Sequence, residues 1–272
     1  MLQATIEGGV VLGYETTGTG EPVALIHGAL IADIFGTLLE QPSLRGYALI
    51  AYHRRGYVGS TRSPRPLSIA EQAADCRNLL RYLGIARAHI LGHSFGGAVA
   101  LQLAIDFPET VQSLALLEPA LMLGETGGAY RESLEEGIQR YRELDTSRLV
   151  DGFMEARWPG YRSRLDEALP GAFDQAVADA GATFEADLPG LLTWDFSEGD
   201  AARVTQPVLS VLGGESEQLW PRFGEVHRWL LARLPNVEGY VLPNAHHFLQ
   251  VENPHDLAEA LAAFLKRYPL VT

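Results

Sequence analysis

A single cysteine, Cys76, occurs in the 272 residues. That excludes an intrachain disulfide, and with it any Cys₄ or Cys₂His₂ zinc site. Long apolar runs are absent too. No stretch approaches the ~18 uninterrupted apolar residues of a membrane span, so none is expected. Positive charge is scarce: 21 Lys and Arg stand against 34 Asp and Glu, a formal net charge of −13. Nucleic acids and anionic membrane surfaces need basic patches, so neither is expected as a partner. The opening, Met1 to Glu15, lacks a basic head followed by an apolar run, so no signal peptide is expected and the cytoplasm is the expected location. There is no HExxH, no P-loop and no dinucleotide fingerprint, because the Gly18–Pro22 stretch lacks a closing glycine and a following helix. No metal and no cofactor is expected. Internal repeats and low-complexity tracts are also missing.

What is present describes a water-facing globular chain, 47% hydrophobic and 20% charged. A chain of this length can bury about three quarters of its unfolded surface and needs no staples. The first 121 residues alternate strand and helix patterns. Strands are expected at Val10–Gly18, Val23–Gly28, Tyr47–His53, His89–Gly92 and Ser113–Leu117. A helix is expected between residues 68 and 84. Ser68 and Glu71 form a capping-box pattern, Gly84 supplies a stop, and Ile69, Ala73, Cys76, Leu80 and Leu83 fall on one face. Cys76 on that face reads as a small buried hydrophobe rather than a nucleophile. From about Met122 to Arg203 no strand pattern is found, only short amphipathic helices broken by Gly and Pro. Alternation then resumes with a strand at Pro207–Gly214, a helix at Arg222–Leu234, a strand at Glu238–Pro243 and a last helix opened by Asn253 and Pro254. Strands separated by helices imply a mostly parallel sheet covered on both faces. The expected organisation is a core of residues 1–121 and 206–272, interrupted by a helical cap at 122–205. Ligands of such sheets bind at the carboxyl ends of the strands, from which the insert departs.

The strongest motif is Gly92-His93-Ser94-Phe95-Gly96, a G-x-S-x-G between an apolar strand and a helical run. Small residues two before and two after the serine permit a strand-to-helix turn sharp enough to present its hydroxyl at the strand end. Ser94 is thus the candidate nucleophile, and a serine needs a base to take its proton. Among 8 histidines, His247 lies on a loop after a strand and before the final helix, at the same sheet edge. Its neighbour His246 competes. His93 is expected to point away from the elbow. His89 opens a strand, His227 and His255 fall in helices, and His53 ends a strand in a turn-rich segment. A developing oxyanion needs donors already aimed at it, and the backbone N–H groups of Ala29, after His27-Gly28, and of Phe95 are the candidates. His27 reads as a turn-stabilising residue.

These segments resemble the α/β-hydrolase superfamily over nearly the whole chain. The resemblance is carried by "HGAL" at 27, "YHRRGYVGS" at 52, "GHSFGG" at 92, "PVLSVLGG" at 207 and "NAHHFLQVENP" at 244. It implies an α/β fold with an eight-stranded sheet flanked by helices, an inserted helical cap, and a nucleophile–acid–histidine triad in that chain order. By matching position, Ser94 is the nucleophile, His247 the general base, and Ala29 and Phe95 the oxyanion hole. One element departs from the commonest pattern. The usual Asp, three residues past Gly213, is replaced by Ser216. Some members, several haloalkane dehalogenases and the zearalenone lactonases among them, place the acid at the end of the strand before the cap. Leu114–Leu121 is similar to that arrangement. Its apolar run ends on Glu118, a carboxylate that is costly to bury without a partner. Glu118 is therefore the favoured acid, with Glu215 and Glu217 as rivals. Its other reading is a cap for the first cap helix or a partner for an arginine.

The function so implied is a cofactor-independent serine hydrolase acting on an ester or lactone. A haloalkane dehalogenase or epoxide hydrolase would carry Asp where Ser94 stands. Aminopeptidase, C–C bond hydrolase and non-catalytic ligand receptor remain as alternatives. The expected partner is a small molecule with an apolar part, against a wall drawn from Leu30, Trp158, Trp194 and Phe248, although aromatics such as Trp158, Trp194, Phe196 and Trp220 also serve to pin short helices to a core.

Overall fold

The computed structural model describes residues 1–270. Eight strands form one sheet: β1 (Leu2–Thr5), β2 (Val11–Thr17), β3 (Glu21–Ile26), β4 (Tyr47–Tyr52), β5 (Ala88–His93), β6 (Val111–Leu117), β7 (Val208–Gly213) and β8 (Val237–Leu242). Their order is β1-β2-β4-β3-β5-β6-β7-β8. β1 and β2 pair antiparallel, β2 joins β4 antiparallel, and every later pairing is parallel. The parallel strands are apolar because both faces are covered; all six residues of β5 and of β7 are buried. β1 has no counterpart among the strands expected from the sequence. It has four residues and buries one, Ala4, so it carries too little alternation to be read.

Helices cover the sheet: α1 (Gly36–Leu39), α2 (Ile69–Tyr82) and α3 (Phe95–Asp106) in the first part; α10 (Ser216–Leu219), α11 (Pro221–Arg233), α12 (Leu249–Glu252) and α13 (Pro254–Leu265) in the last, with α4 to α9 between them. The capping box of α2 is formed, with Ser68 Oγ accepting from the Glu71 N–H at 3.2 Å and Glu71 accepting from the Ser68 N–H at 3.0 Å. Ile69, Ala73, Cys76 and Leu80 of its inner face are fully buried. α13 starts as its sequence suggests, with the Asn253 side chain accepting from the Asp256 N–H.

Between β6 and β7 lie α4 (Gly127–Glu143), α5 (Thr146–Glu155), α6 (Tyr161–Ala168), α7 (Ala172–Ala178), a π-helical stretch (Ala182–Asp187), α8 (Leu188–Leu192) and α9 (Glu198–Arg203). Among the described residues this stretch contains no strand. Of the breaks expected at Gly and Pro, one falls at Pro170-Gly171 between α6 and α7, where Gly171 takes φ +81. Contacts with the core are polar as well as apolar. Trp194 Nε1 donates to Gln102 Oε1 at 2.7 Å, and Trp220 Nε1 donates to the Ala156 carbonyl at 3.0 Å. At Gly190 a Cβ would collide with the Leu67 carbonyl, so the π-helical stretch and α8 press directly on the α2 entrance. Among the described residues no helix is long and apolar enough to cross a membrane.

Burial pushes the Cys76 thiol up to about 12, so it is neither accessible nor ionised at neutral pH. Ellman's reagent should therefore leave the native protein unmodified and titrate one thiol after unfolding in guanidinium. Rapid labelling of the native protein would contradict this packing.

Candidate active site

The elbow is built from steric necessity. β5 ends at His93, and Ser94 adopts φ +51, ψ −116 before α3 begins at Phe95. So tight a turn leaves no room beside it. A Cβ at Gly92 would strike the Gly96 carbonyl, one at Gly96 the Ile26 carbonyl, and one at Gly97 would sit 2.6 Å from Pro119 Cβ. The glycine spacing of the motif is thus a packing requirement as much as a conformational one. The Ser94 carbonyl accepts from both the Gly97 and the Ala120 N–H at 2.9 Å, so the segment after β6 is pinned to the elbow. Ser94 itself is half-buried.

β6 lies beside β5, and β7 and β8 follow, so their loops meet at one carboxyl edge. Ser94 Oγ stands 3.0 Å from His247 Nε2, and His247 Nδ1 stands 2.6 Å from Glu118 Oε2. The pattern is consistent with Nδ1–H donating to the carboxylate and Nε2 accepting from the serine hydroxyl. The other Glu118 oxygen accepts from the Gly213 N–H at 2.8 Å. Glu118 is almost fully buried, and burial raises it to about 7, against the opposing pull of the nearby Ser216 hydroxyl and the Gly213 N–H. The Ser216 hydroxyl lies close enough to exert that pull while standing outside ordinary hydrogen-bond geometry. Burial also holds His247 well below the usual imidazole range, reinforced by the positive charges of Arg157 and Arg222. A neutral imidazole is the form that can accept a proton.

The rivals are occupied elsewhere. Glu215 accepts from Gln218 at 3.2 Å, and Glu217 pairs with Arg228 at 2.8 Å. His246 is held by Glu252, through its N–H at 2.8 Å and its Nδ1 at 2.9 Å. His53 donates to the Val58 carbonyl and meets Asp33. His93, expected to face away, in fact lies against the site. Its Nε2 donates to the His247 carbonyl at 2.8 Å, and its ring sits 4.8 Å from that of His247. The sequence signal was its place in the elbow, but the loop it supports is 154 residues away. Phe223 stacks on the His247 ring at 4.5 Å and was also missed. Neither the Ala29 nor the Phe95 backbone N–H donates to another group among the described residues. Their strands, β3 and β5, are hydrogen-bonded neighbours, so both donors lie beside the elbow. Among the described residues no three His, Cys, Asp or Glu side chains are grouped to hold a metal ion.

Comparison with known proteins identifies the fold family. The family model for the alpha/beta hydrolase fold matches residues 21–254. The chain belongs to the alpha/beta hydrolase fold family. It is 26% identical to a fluoroacetate dehalogenase from Burkholderia sp, over 95% of this chain and 91% of that protein. It is 27% identical to the dihydrolipoyllysine-residue acetyltransferase component of an acetoin cleaving system from Pseudomonas putida, over 98% of this chain and 69% of that one. The corresponding component from Cupriavidus necator is matched over 57% of its length, so this chain spans little more than half of it. A thermophilic esterase from Thermogutta terrifontis superposes with a TM-score of 0.84 at 20% identity, covering 98% of both chains. The enol-lactonase from Burkholderia xenovorans LB400 gives 0.80 at 19%, covering 97% of this chain and 100% of that one. At such identities the structural likeness is one of fold.

In this alpha/beta hydrolase the residues expected to form a substrate wall are placed as follows. Leu30 is buried at φ +68, its N–H donating to Thr183 Oγ1 at 3.0 Å. Phe248 follows His247 and stacks on Trp158 at 5.3 Å. Trp158 is fully buried between that ring and the guanidinium of Arg164. Trp194 packs on Phe196 and spends its N–H on Gln102. Trp158 and Trp194 therefore make the helix-pinning contacts that the sequence also allowed.

Arg54 is a further residue that sequence reasoning overlooked. Its side chain donates to the His27 carbonyl at 3.1 Å and the Gly28 carbonyl at 2.9 Å, and forms a bidentate pair with Asp187 at 2.9 and 2.8 Å. His27 completes the loop, its Nε2 accepting from the Arg54 N–H at 3.0 Å and its Nδ1 donating to the Gly28 carbonyl at 2.7 Å. Arg54 is 1% exposed and Asp187 fully buried. Removing one member of such a pair strands the other charge, so Asp187→Ala should cost about 3–5 kcal/mol in urea unfolding. A cost below about 1 kcal/mol would mean that the pair does not hold this loop to the helical segment.

Proposed function

We propose that this protein is a serine hydrolase that cleaves an ester or lactone through an acyl-enzyme. The observation that carries the reading is the continuous relay from Ser94 Oγ through His247 to the Glu118 carboxylate, at 3.0 and 2.6 Å. Ser94 attacks the substrate carbonyl while its proton passes to His247 Nε2. Glu118 keeps the imidazole in the productive tautomer and balances the imidazolium that forms. The Ala29 and Phe95 N–H groups receive the oxyanion, aided by the positive end of α3. Collapse of the tetrahedral intermediate expels the alcohol, which takes its proton from His247. Water then attacks the acyl-enzyme with His247 as base, releasing the acid and restoring the serine. The helical segment 122–205 acts as a cap over this edge, tied down by Asp187 and Thr183. The esterase and enol-lactonase names among the structural neighbours lend this chemistry support without naming a substrate.

Ser94→Ala should lower kcat on the order of 10⁴-fold and abolish fluorophosphonate labelling, with folding retained. Retention of more than a few per cent of wild-type kcat would remove Ser94 from the role. Glu118→Gln should cost on the order of 10³ to 10⁴-fold, because an amide favours the wrong tautomer, while Glu215→Gln and Glu217→Gln should each lose less than about tenfold. The reverse ordering would move the acid to the loop after β7.

The pH profile has a definite sign. The working form has neutral His247 and ionised Glu118, so a proton taken up anywhere on the pair stops the reaction. kcat/KM should fall on the acid side, with an apparent pKa that belongs to the pair, and should not fall from this cause as pH rises. In Glu118→Gln the imidazolium loses its counter-charge, so the residual activity should have its acid limb at lower pH. A limb displaced upward would contradict the pairing.

A further inference from the structure

Two cations sit beside this site without an ion pair, although Arg222 feels the more distant charges of Glu118 and Glu225. Arg157 is 9% exposed and Arg222 is 5% exposed. Among the described residues neither lies within ion-pair distance of a carboxylate, in contrast to Arg54 with Asp187 and Arg55 with Asp75. Each guanidinium has five N–H donors and makes one hydrogen bond. Arg157 donates to the Phe153 carbonyl at 2.8 Å and Arg222 to the Leu121 carbonyl at 3.2 Å, while the buried Arg222 Nε has no partner. Aromatic faces supply the remaining support. Arg157 lies over Phe153 at 3.5 Å and Trp220 at 4.8 Å; Arg222 lies over Tyr130 at 3.5 Å and Phe223 at 4.8 Å. Ring faces attract a cation but leave its N–H edge free to donate.

Both residues line cavities. Arg157 lines a cavity of about 280 Å³, and Arg222 lines another of about 280 Å³. Ser133 and Trp220 belong to both, so the two cavities meet there. Arg140 and Arg148 also line the Arg157 side, where Glu136 is the one carboxylate; it reaches Arg140 at 3.6 Å. In a chain of net charge −13 this is a local concentration of positive charge.

Arg222 also stands close to the reacting groups. The Phe223 ring contacts both, with the Arg222 guanidinium 4.8 Å and the His247 ring 4.5 Å from its centre. Both guanidiniums depress His247, and each lies near enough to the other for Arg222 to depress Arg157. Cations beside a base oppose the imidazolium that the reaction must form. An anion arriving with the substrate would remove that opposition and repay the unpaired burial. An ammonium-bearing substrate, as an aminopeptidase requires, would meet repulsion instead.

We propose that Arg157 and Arg222 form an anion subsite next to the Ser94–His247 pair, and that the ester or lactone taken there carries a free carboxylate. The substrate class rests on the serine-hydrolase reading; the anion subsite does not.

Two esters that differ only in a terminal carboxylate, 4-nitrophenyl butanoate and mono-4-nitrophenyl glutarate, decide the matter. The wild type should favour the charged ester in kcat/KM by about tenfold or more, and Arg157→Gln and Arg222→Gln should each reduce that preference about tenfold, chiefly through KM. Arg→Lys at either position should keep part of it. No preference in the wild type, or a preference unchanged in both glutamine variants, overturns the proposal. Glutarate binding to the wild type by calorimetry gives a readout that needs neither turnover nor a folded variant. A Kd below about 1 mM is expected, and no measurable binding at about 10 mM overturns the subsite. If neither ester is cleaved and fluorophosphonate leaves Ser94 unlabelled, the hydrolase reading falls, and glutarate binding alone judges the subsite.

Discussion

The guanidinium of Arg54 is buried at the carboxyl edge of the sheet, and three separate parts of the chain meet on it. It follows β4, donates to both carbonyls of the His27-Gly28 turn after β3, and pairs through two oxygens with Asp187 of the π-helical stretch. Gln72 of α2 and the Tyr57 hydroxyl complete the shell around the same carboxylate. A charge in such a place is tolerable only because every partner is present. The turn that carries Ala29 is therefore tied to the helical segment. Thr183, one turn before Asp187, reinforces this by accepting from the Leu30 N–H.

Backbone strain is concentrated at the same edge. Among the described residues the non-glycine positions with positive φ are Leu30, Ser94, Glu118 and Asn244. They follow β3, β5, β6 and β8. Such conformations persist only where the surroundings over-determine them. Here the surroundings are the parallel core strands, whose ladders continue up to the strained residues: Ser94 N–H donates to the Leu117 carbonyl and Glu118 N–H to the Val211 carbonyl. The rigid sheet thus holds the hydroxyl, the carboxylate and the histidine loop in a geometry that none of the loops would adopt alone.

The electrostatics of the edge divide the buried charges into two kinds. Arg54 is fully paired and works as a joint. Arg157 and Arg222 are supported by aromatic faces and left with free donors. The difference lies in what surrounds each guanidinium, since all three are arginines buried beside the same sheet edge.

The fold class was legible in the sequence because it rests on local pattern. Period-two and period-3.6 hydrophobicity set most strands and helices, Ser68 and Glu71 set the start of α2, and the spacing of Gly92, Gly96 and Gly97 around Ser94 forces the elbow. β1 escaped for the same reason, since four residues with one buried side chain carry almost no pattern. Ser94 and His247 could be named from their positions after strands. Which carboxylate meets His247 could not be read from residue type, since Glu118, Glu215 and Glu217 all lie near strand ends; the cost of burying a lone carboxylate at the end of an apolar strand, together with a resemblance, favoured the first. Tertiary structure decided it by placing β6 beside β5, so that Glu118, 129 residues away in sequence, reaches Nδ1. The same holds for His93 beneath the histidine loop, for Arg54 with Asp187 across 133 residues, and for the unpaired state of Arg157 and Arg222. Periodicity and turn chemistry act over a few residues and are written along the chain. Charge pairing acts between groups that only the packed sheet and the docked helices bring within a few ångströms.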